Sequence, residues 1–196
     1  RKVLQAFLET FPDCDKVRTT CNPVRQAIVE VATPELRYAG RSGAFQILVI
    51  GGSLGAQALN TQIPAALALL PQAIQVKHQC GQAQREQTQQ QYAQAQQANP
   101  QLGIEVVAFI EDMAAAYAQA ALIICRAGAL TVTEVATVGI PAIFIPLPSA
   151  VDDHQTLNAG YLVDAGAAVL CPQASLTPQH LAATLSSLLD RAILLD

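Results

Sequence analysis

Short apolar runs punctuate this chain at regular intervals, and stretches of helical periodicity fill the gaps. Runs rich in Ile, Val and Leu stand at 46–50, 73–77, 104–108, 121–125, 141–145 and 167–170. Each is too short for a stable helix, and several are apolar at consecutive positions, which predicts strands buried on both faces. Amphipathic stretches at about 56–70, 82–98, 112–119, 130–138, 155–165 and 177–190 predict helices. Alternating strand and helix implies parallel strands with right-handed crossovers. The fold class expected is therefore α/β, a doubly wound parallel sheet of Rossmann-like type.

Residues 1–45 break this rhythm. They read as a short helix over Val3-Leu4-x-x-Phe7-Leu8, a Phe11-Pro12-Asp13 turn, the Asn22-Pro23-Val24-Arg25 segment and a Gly/Arg/Ser linker at 39–43. Two units are expected: an interdomain segment and linker over 1–43, and a ligand-binding domain over 44–196. Both ends read as cut, because the chain has no initiator Met and stops on Ile193-Leu194-Leu195-Asp196 just after a helical stretch. The expectation is a piece of a longer protein.

Composition narrows the class. The chain is 52% hydrophobic and 13% charged, which favours a packed globule over disorder. A net charge of −4 with no basic stripe argues against a nucleic-acid partner. The five cysteines are scattered without CxxC spacing, so neither a zinc site nor a disulfide framework is expected. Gln82 to Gln97 is glutamine-rich and reads as a solvated helix face.

The most informative stretch is Cys125-Arg126-Ala127-Gly128-Ala129-Leu130-Thr131-Val132-Thr133-Glu134. A buried strand precedes it and a helix continues it. The first amides of a helix lack internal partners and its dipole is positive there, so this turn can hold an anion. Glu134 follows Leu130 by about one turn, close enough to accept hydroxyl hydrogen bonds from a sugar attached to that anion. A phosphate and a diol read within one turn suggest a nucleotide or nucleotide sugar.

Other motifs are weaker. Gly51-Gly52-Ser53-Leu54-Gly55 follows the first strand; it is neither a Walker A loop nor GxGxxG, and reads equally as a tight turn or a ligand loop. The second strand ends in Val76-Lys77-His78 without an acid for a ribose diol, which disfavours a dinucleotide. His78 reads as a hydrogen-bonded packing residue. Glu111 and Asp112 read as an ordinary helix start, while the backbone of Phe109 and Ile110 is available to a base edge. Asp152-Asp153-His154-Gln155-x-x-Asn158 reads either as a helix cap or as polar side chains gripping a sugar. Asp13-Cys14-Asp15 has the DxD form of some metal-binding transferases but falls in a turn away from the strand ends, so no metal role is expected.

Taken in order, Asn-Pro-Val-Arg, Gly-Gly-Ser-x-Gly-Ala, His-Gln-x-Gly, Phe-Ile-x-Asp-Met, Arg-x-Gly-Ala-Leu-Thr-x-x-Glu and His-Gln-x-x-Asn-Ala resemble the C-terminal half of the MurG family from about Phe11 onward. These are UDP-N-acetylglucosamine (UDP-GlcNAc) transferases of peptidoglycan synthesis. The resemblance implies the C-terminal half of a type-B glycosyltransferase fold. It implies an inverting hexosyltransferase that moves GlcNAc from UDP-GlcNAc to a lipid-linked muramyl-pentapeptide (lipid I to lipid II), with this chain as the donor-binding part. It places Arg25 at the diphosphate, with Ser53 and the loop glycines Gly52 and Gly55 beside it. Ile110 would read uracil through its backbone, and Ala129, Leu130 and Thr131 would present the phosphate-binding helix start. Glu134 would accept the ribose hydroxyls, and His154 and Gln155 would contact the sugar. No cofactor, no metal and no catalytic residue are expected within this chain. The acceptor and the cytoplasmic face of the bacterial membrane would be met through an N-terminal domain, which makes the expected protein cytoplasmic and peripheral. The chain departs from the pattern at Cys21, where a glycine is usual, at Ala127 for a serine, and at Gln82 for a lysine. Alternatives of other kinds are a UDP-GlcNAc 2-epimerase, another lipid glycosyltransferase of the same fold, and a non-catalytic donor-binding subunit completed by a membrane partner.

Overall fold

Parallel pairing of six strands organises the chain, as seen in a computed structural model that describes residues 1–7, 11–52, 56–148 and 153–189. In chain order these elements are β1 (Val3–Gln5), β2 (Val17–Thr19), α1 (Gln26–Val29), α2 (Pro34–Tyr38), β3 (Phe45–Ile50), α3 (Gln57–Leu67) and β4 (Ile74–Gln79). There follow α4 (Arg85–Ala98), β5 (Leu102–Val107), α5 (Met113–Gln119), β6 (Leu122–Cys125), α6 (Ala129–Val138), β7 (Ala142–Phe144), α7 (His154–Val163), β8 (Ala168–Leu170) and α8 (Pro178–Leu189).

The main sheet has the order β5-β4-β3-β6-β7-β8, every neighbour parallel. This is the doubly wound arrangement, and its order reverses between β3 and β6. Ligands of such sheets bind beyond the carboxyl ends of the strands at that reversal. Alternate strand residues feed two apolar layers. Ile47, Val49, Leu122 and Ile124 pack with Leu59 and Ile63 of α3, Tyr92 of α4 and Leu181 and Leu185 of α8. Leu48, Ile123 and Cys125 pack with Ile28 of α1, Tyr117 of α5, Val132 and Val135 of α6 and Leu162 of α7. The central strand β6 is buried at all four positions, which is why it reads as an uninterrupted apolar run.

The expected elements of the repeating part all appear, with ends shifted by at most three residues. The N-terminal expectation fails. Residues 3–5 are not helical: β1 pairs in parallel with β2, with Val3 opposite Val17. Gln5 holds this small sheet by donating from Nε2 to Thr19 Oγ1 (2.9 Å) and accepting from Phe11 N (3.1 Å). So short an apolar pattern cannot offset helix nucleation, whereas a strand needs only a neighbour. Leu8 lies outside the described residues.

Residues 22–41 pack against the ends of α5 and α6. The buried Arg37 donates from Nη2 to Val138 O (2.8 Å) and Gly139 O (3.3 Å), capping the C-terminal end of α6 with a cation. Gly139 adopts φ +66°, and a Cβ there would stand 2.8 Å from Pro34 Cγ, so both its conformation and its neighbour require glycine. Arg41 likewise donates to Ala118 O and Gln119 O at the end of α5 (2.6 and 2.8 Å). No helix among the described residues is long and apolar enough to cross a membrane.

Candidate functional site

The strand ends at the reversal open into a cleft of about 740 Å³. On one side β3 runs into Gly51-Gly52; on the other β6 runs through Arg126, Ala127 and Gly128 into α6. Gly52 has φ +91° with open space around it, a conformation that leaves the backbone approachable. Ser53 and Gly55, assigned to the same loop, lie outside the described residues.

Helix α6 starts without a side-chain cap: Gly128 occupies the N-cap, and its carbonyl accepts Val132 N (2.9 Å). The amides of Ala129, Leu130 and Thr131, the first of the helix, find no acceptor among the described residues, and Thr131 and Gly128 line the cleft. Arg126 is the one charged side chain among the described residues that line it. Its guanidinium donates to Ile145 O (3.0 Å), Pro146 O (2.9 Å) and Gln173 Oε1 (2.6 Å), all neutral acceptors. Burial lowers its pKa from the ordinary value, and its Nε is buried without a partner among the described residues. A cation with no carboxylate partner among the described residues, behind an uncapped helix start, makes this wall attractive to anions.

One turn along α6, Glu134 is already engaged. Arg25 donates to its Oε1 from Nη2 (3.1 Å) and Nε (3.3 Å), and Tyr117 OH donates to its Oε2 (3.0 Å). The Asn-Pro-Val-Arg segment reaches this helix because Asn22 Nδ2 donates to Thr133 Oγ1 (3.0 Å) and Ala129 O (3.3 Å). Two motifs more than a hundred residues apart thus meet on one helical turn. Cys21, just before them, adopts φ +59°, a conformation in which glycine is freer.

Beyond β5, Phe109 is exposed and Ile110 is buried. The Ile110 N–H is not idle: it donates to Gln79 Oε1 (2.9 Å), while Gln79 Nε2 donates to Gly52 O (3.1 Å). Only the Ile110 carbonyl remains for a base edge unless Gln79 yields. Asp112 caps α5 by accepting Ala115 N (2.9 Å), the role its sequence context indicates.

At α7, Asp153 stands at the N-cap with φ +39°, and Thr156 Oγ1 donates to its Oδ1 (2.7 Å). His154 is exposed. Gln155 lines the cleft, but its Oε1 already accepts from Ala127 N (3.2 Å) and Leu147 N (2.9 Å), which leaves its NH₂ for a ligand. Asn158 Nδ2 donates to Ala127 O (3.1 Å), so α7 grips the Ala127 peptide from both sides. Ala127 is fully buried and supplies no polar side chain.

His78 is a packing residue. It is fully buried, its Nδ1 pairs with Tyr92 OH (2.9 Å), and burial pushes its pKa down to about 3. Asp13 and Asp15 are exposed in the connection between β1 and β2. No cluster of three or more metal-ligating side chains occurs among the described residues.

The structure thus brings Gly52, Thr131 and Gln155 to the cleft and pairs Arg25 with Glu134 one turn further along α6, while Ala129 and Leu130 begin that helix without lining the cleft. Sequence reasoning did not single out Arg126, Gln79, Tyr117 or Gln173. Arg126 had a signal, a cation adjoining the glycine turn. Tyr117 had none, since its partner is chosen by the packing of α5 and α6 on the same face of the sheet.

Comparison with known proteins identifies the family of the fold. The profile of the family described as Glycosyltransferase family 28 C-terminal domain matches residues 46–192. A UDP-N-acetylglucosamine--N-acetylmuramyl-(pentapeptide) pyrophosphoryl-undecaprenol N-acetylglucosamine transferase of Acinetobacter baumannii is 53% identical over 99% of this chain and 53% of its own length. The Acinetobacter baylyi protein of the same name is 54% identical over 98% of this chain and 53% of its length. The crystal structure of Acinetobacter baumannii MurG superposes with a TM-score of 0.88 at 48% identity, covering 100% of this chain and 53% of that one. The chain spans about half the length of the curated relatives it matches. With a six-stranded doubly wound sheet, an uncapped helix start at its reversal and a family profile that matches most of its length, this chain belongs to the family 28 glycosyltransferases, as their C-terminal domain.

Proposed function

We propose that this chain binds UDP-GlcNAc for an inverting transferase that delivers GlcNAc to a lipid-linked muramyl-pentapeptide. Residues 44–196 form the donor-binding unit and residues 1–43 join it to the rest of the protein. The observation that carries the reading is the juxtaposition of the unpartnered α6 amides with Glu134 one turn further on. The amides and the charge of Arg126 take the diphosphate, Glu134 takes the ribose hydroxyls, and the Ile110 backbone meets the uracil. Arg25 moves between Glu134 and the diphosphate. Gln155 offers its NH₂ to the sugar, and His154 borders that end. The relatives' names, which specify this donor and acceptor, support the assignment.

In the reaction the acceptor hydroxyl attacks the anomeric carbon, the carbon–oxygen bond to the β-phosphate breaks, and UDP departs with the bonding pair. The hydroxyl proton passes to a base on the part of the relatives' length that this chain does not span. That same part holds the lipid acceptor at the cytoplasmic face of the bacterial membrane. Charge developing on the leaving diphosphate is met by fixed amides and guanidinium groups, a preorganised electrostatic stabilisation that calls for no metal.

Calorimetric titration tests this. Saturable binding of UDP-GlcNAc, unchanged in EDTA, weaker for UDP-GalNAc and absent for NAD is the expected result. Equal binding of NAD, or a strict magnesium or manganese requirement, overturns it.

A further inference from the structure

Glu134 is held from two sides by partners of opposite character. Arg25, on its Oε1, has a side chain 58% exposed, against 16% for Glu134. Tyr117, on its Oε2, is buried on α5 among Ala116, Ile123, Val132 and Val135. Its position is set from the other side as well, since Arg37 Nη1 reaches Tyr117 O (3.5 Å). Burial first, and the Glu134 carboxylate second, push the phenol far above its ordinary range, so the hydroxyl is a donor at every working pH.

A surface glutamate has many rotamers, and a ligand that needs one of them must order the others out. A buried donor on one carboxylate oxygen removes that cost in advance and leaves the other oxygen to whatever arrives from solvent. Arg25 fills that place now. Its exposure makes it the partner that can leave, because exposed ion pairs contribute little. Tyr117 cannot leave without burying an unpaired hydroxyl.

We propose that Tyr117 is the positioning residue for ribose recognition: it fixes Glu134 through Oε2 so that Oε1 meets a ribose diol in place of Arg25. This rests on the reading of Glu134 as the ribose acceptor. The consequence is selective. Removing the phenol oxygen should blur discrimination of ribose from deoxyribose, whereas a purely packing role would weaken both nucleotides alike.

The test is titration of the parent chain, Tyr117→Phe, Glu134→Gln and the double variant with UDP and with 2′-deoxy-UDP. Phe keeps the ring, and thermal melting followed by circular dichroism checks the fold of each variant. The expected result is that Glu134→Gln abolishes most of the preference for UDP. Tyr117→Phe should lower that preference by roughly 3- to 10-fold, and the double variant should add nothing to Glu134→Gln. A normal preference in Glu134→Gln would overturn the ribose assignment itself. A lost preference in Glu134→Gln but a parental one in Tyr117→Phe would overturn the role of Tyr117 alone. Equal losses for the two nucleotides in Tyr117→Phe would reduce that residue to packing.

Discussion

The first turn of α6 and its second turn are adjacent, yet they would meet the proposed nucleotide in opposite conditions. At the first turn the amides of Ala129, Leu130 and Thr131 have no partner, and the nearby Arg126 no carboxylate, among the described residues. At the second turn Glu134 has both oxygens occupied, by Arg25 and Tyr117. On the proposed reading, binding at the first turn would therefore add interactions, whereas binding at the second would exchange one set for another. An added charge-assisted hydrogen bond contributes close to its full value, and an exchanged one only the difference. The first turn should dominate affinity, and the second should dominate selectivity.

Removing one first-turn donor should have the largest effect. Ala129→Pro deletes a single N–H at a position where helices accept proline, and Gly128 already has the extended conformation (φ −63°, ψ 145°) that a following proline demands. UDP affinity should fall by about 1.5–3 kcal/mol, roughly ten- to hundredfold, with an unchanged melting temperature. Parental affinity in the folded variant would remove the first turn from the site.

Glu134→Ala comes next and should act on two readouts. UDP binding should weaken by about 1–2 kcal/mol, less than for Ala129→Pro, because Arg25 is no longer held away from the diphosphate. Stability should also fall, since the Tyr117 hydroxyl loses its acceptor in a buried place, at a cost of about 1–3 kcal/mol or several degrees of melting temperature. Weakened binding without destabilisation would contradict the buried hydrogen bond.

A pH series separates the frame from both turns. His78 is held near pKa 3 in the fold and titrates near 6.5 when unfolded. Between those values only the unfolded chain takes the proton, so stability is complete above about pH 6.5 and falls as pH drops, by about 1.4 kcal/mol per unit. Chemical denaturation at pH 7.5 and 5.5 should show this slope, and His78→Gln should flatten it. A slope that survives the substitution would assign the effect to other groups.

Arg25→Ala should have the smallest effect on stability, below about 1 kcal/mol for an exposed pair. Its signature is a divergence: UDP should bind more weakly, while uridine, which has no diphosphate, should bind as well as before or slightly better. Parallel losses for both would mean that Arg25 serves the nucleoside rather than the diphosphate.

Much of the frame was legible because parallel strands buried on both faces and helices with one apolar face write their periods directly into the chain. The run at 121–125 and the helix after it were read within a residue or two. The N-terminal strand was not, because three residues carry no period and a strand of that length exists only through its neighbour. The role of Asp112 as a cap was legible, since capping is local. That of Gln155 was not: its carbonyl is spent on Ala127 N and Leu147 N, partners brought near only by the packing of α7.

By itself the sequence determined the alternation of elements, the uncapped glycine turn before α6 and the one-turn spacing to Glu134, because these depend on neighbours in the chain. The tertiary structure decided which cation meets Glu134, which phenol holds it, and that Gln79 already occupies the Ile110 amide. Those choices depend on the strand order, which sets distant segments side by side at the sheet's reversal, and no local pattern encodes that distance.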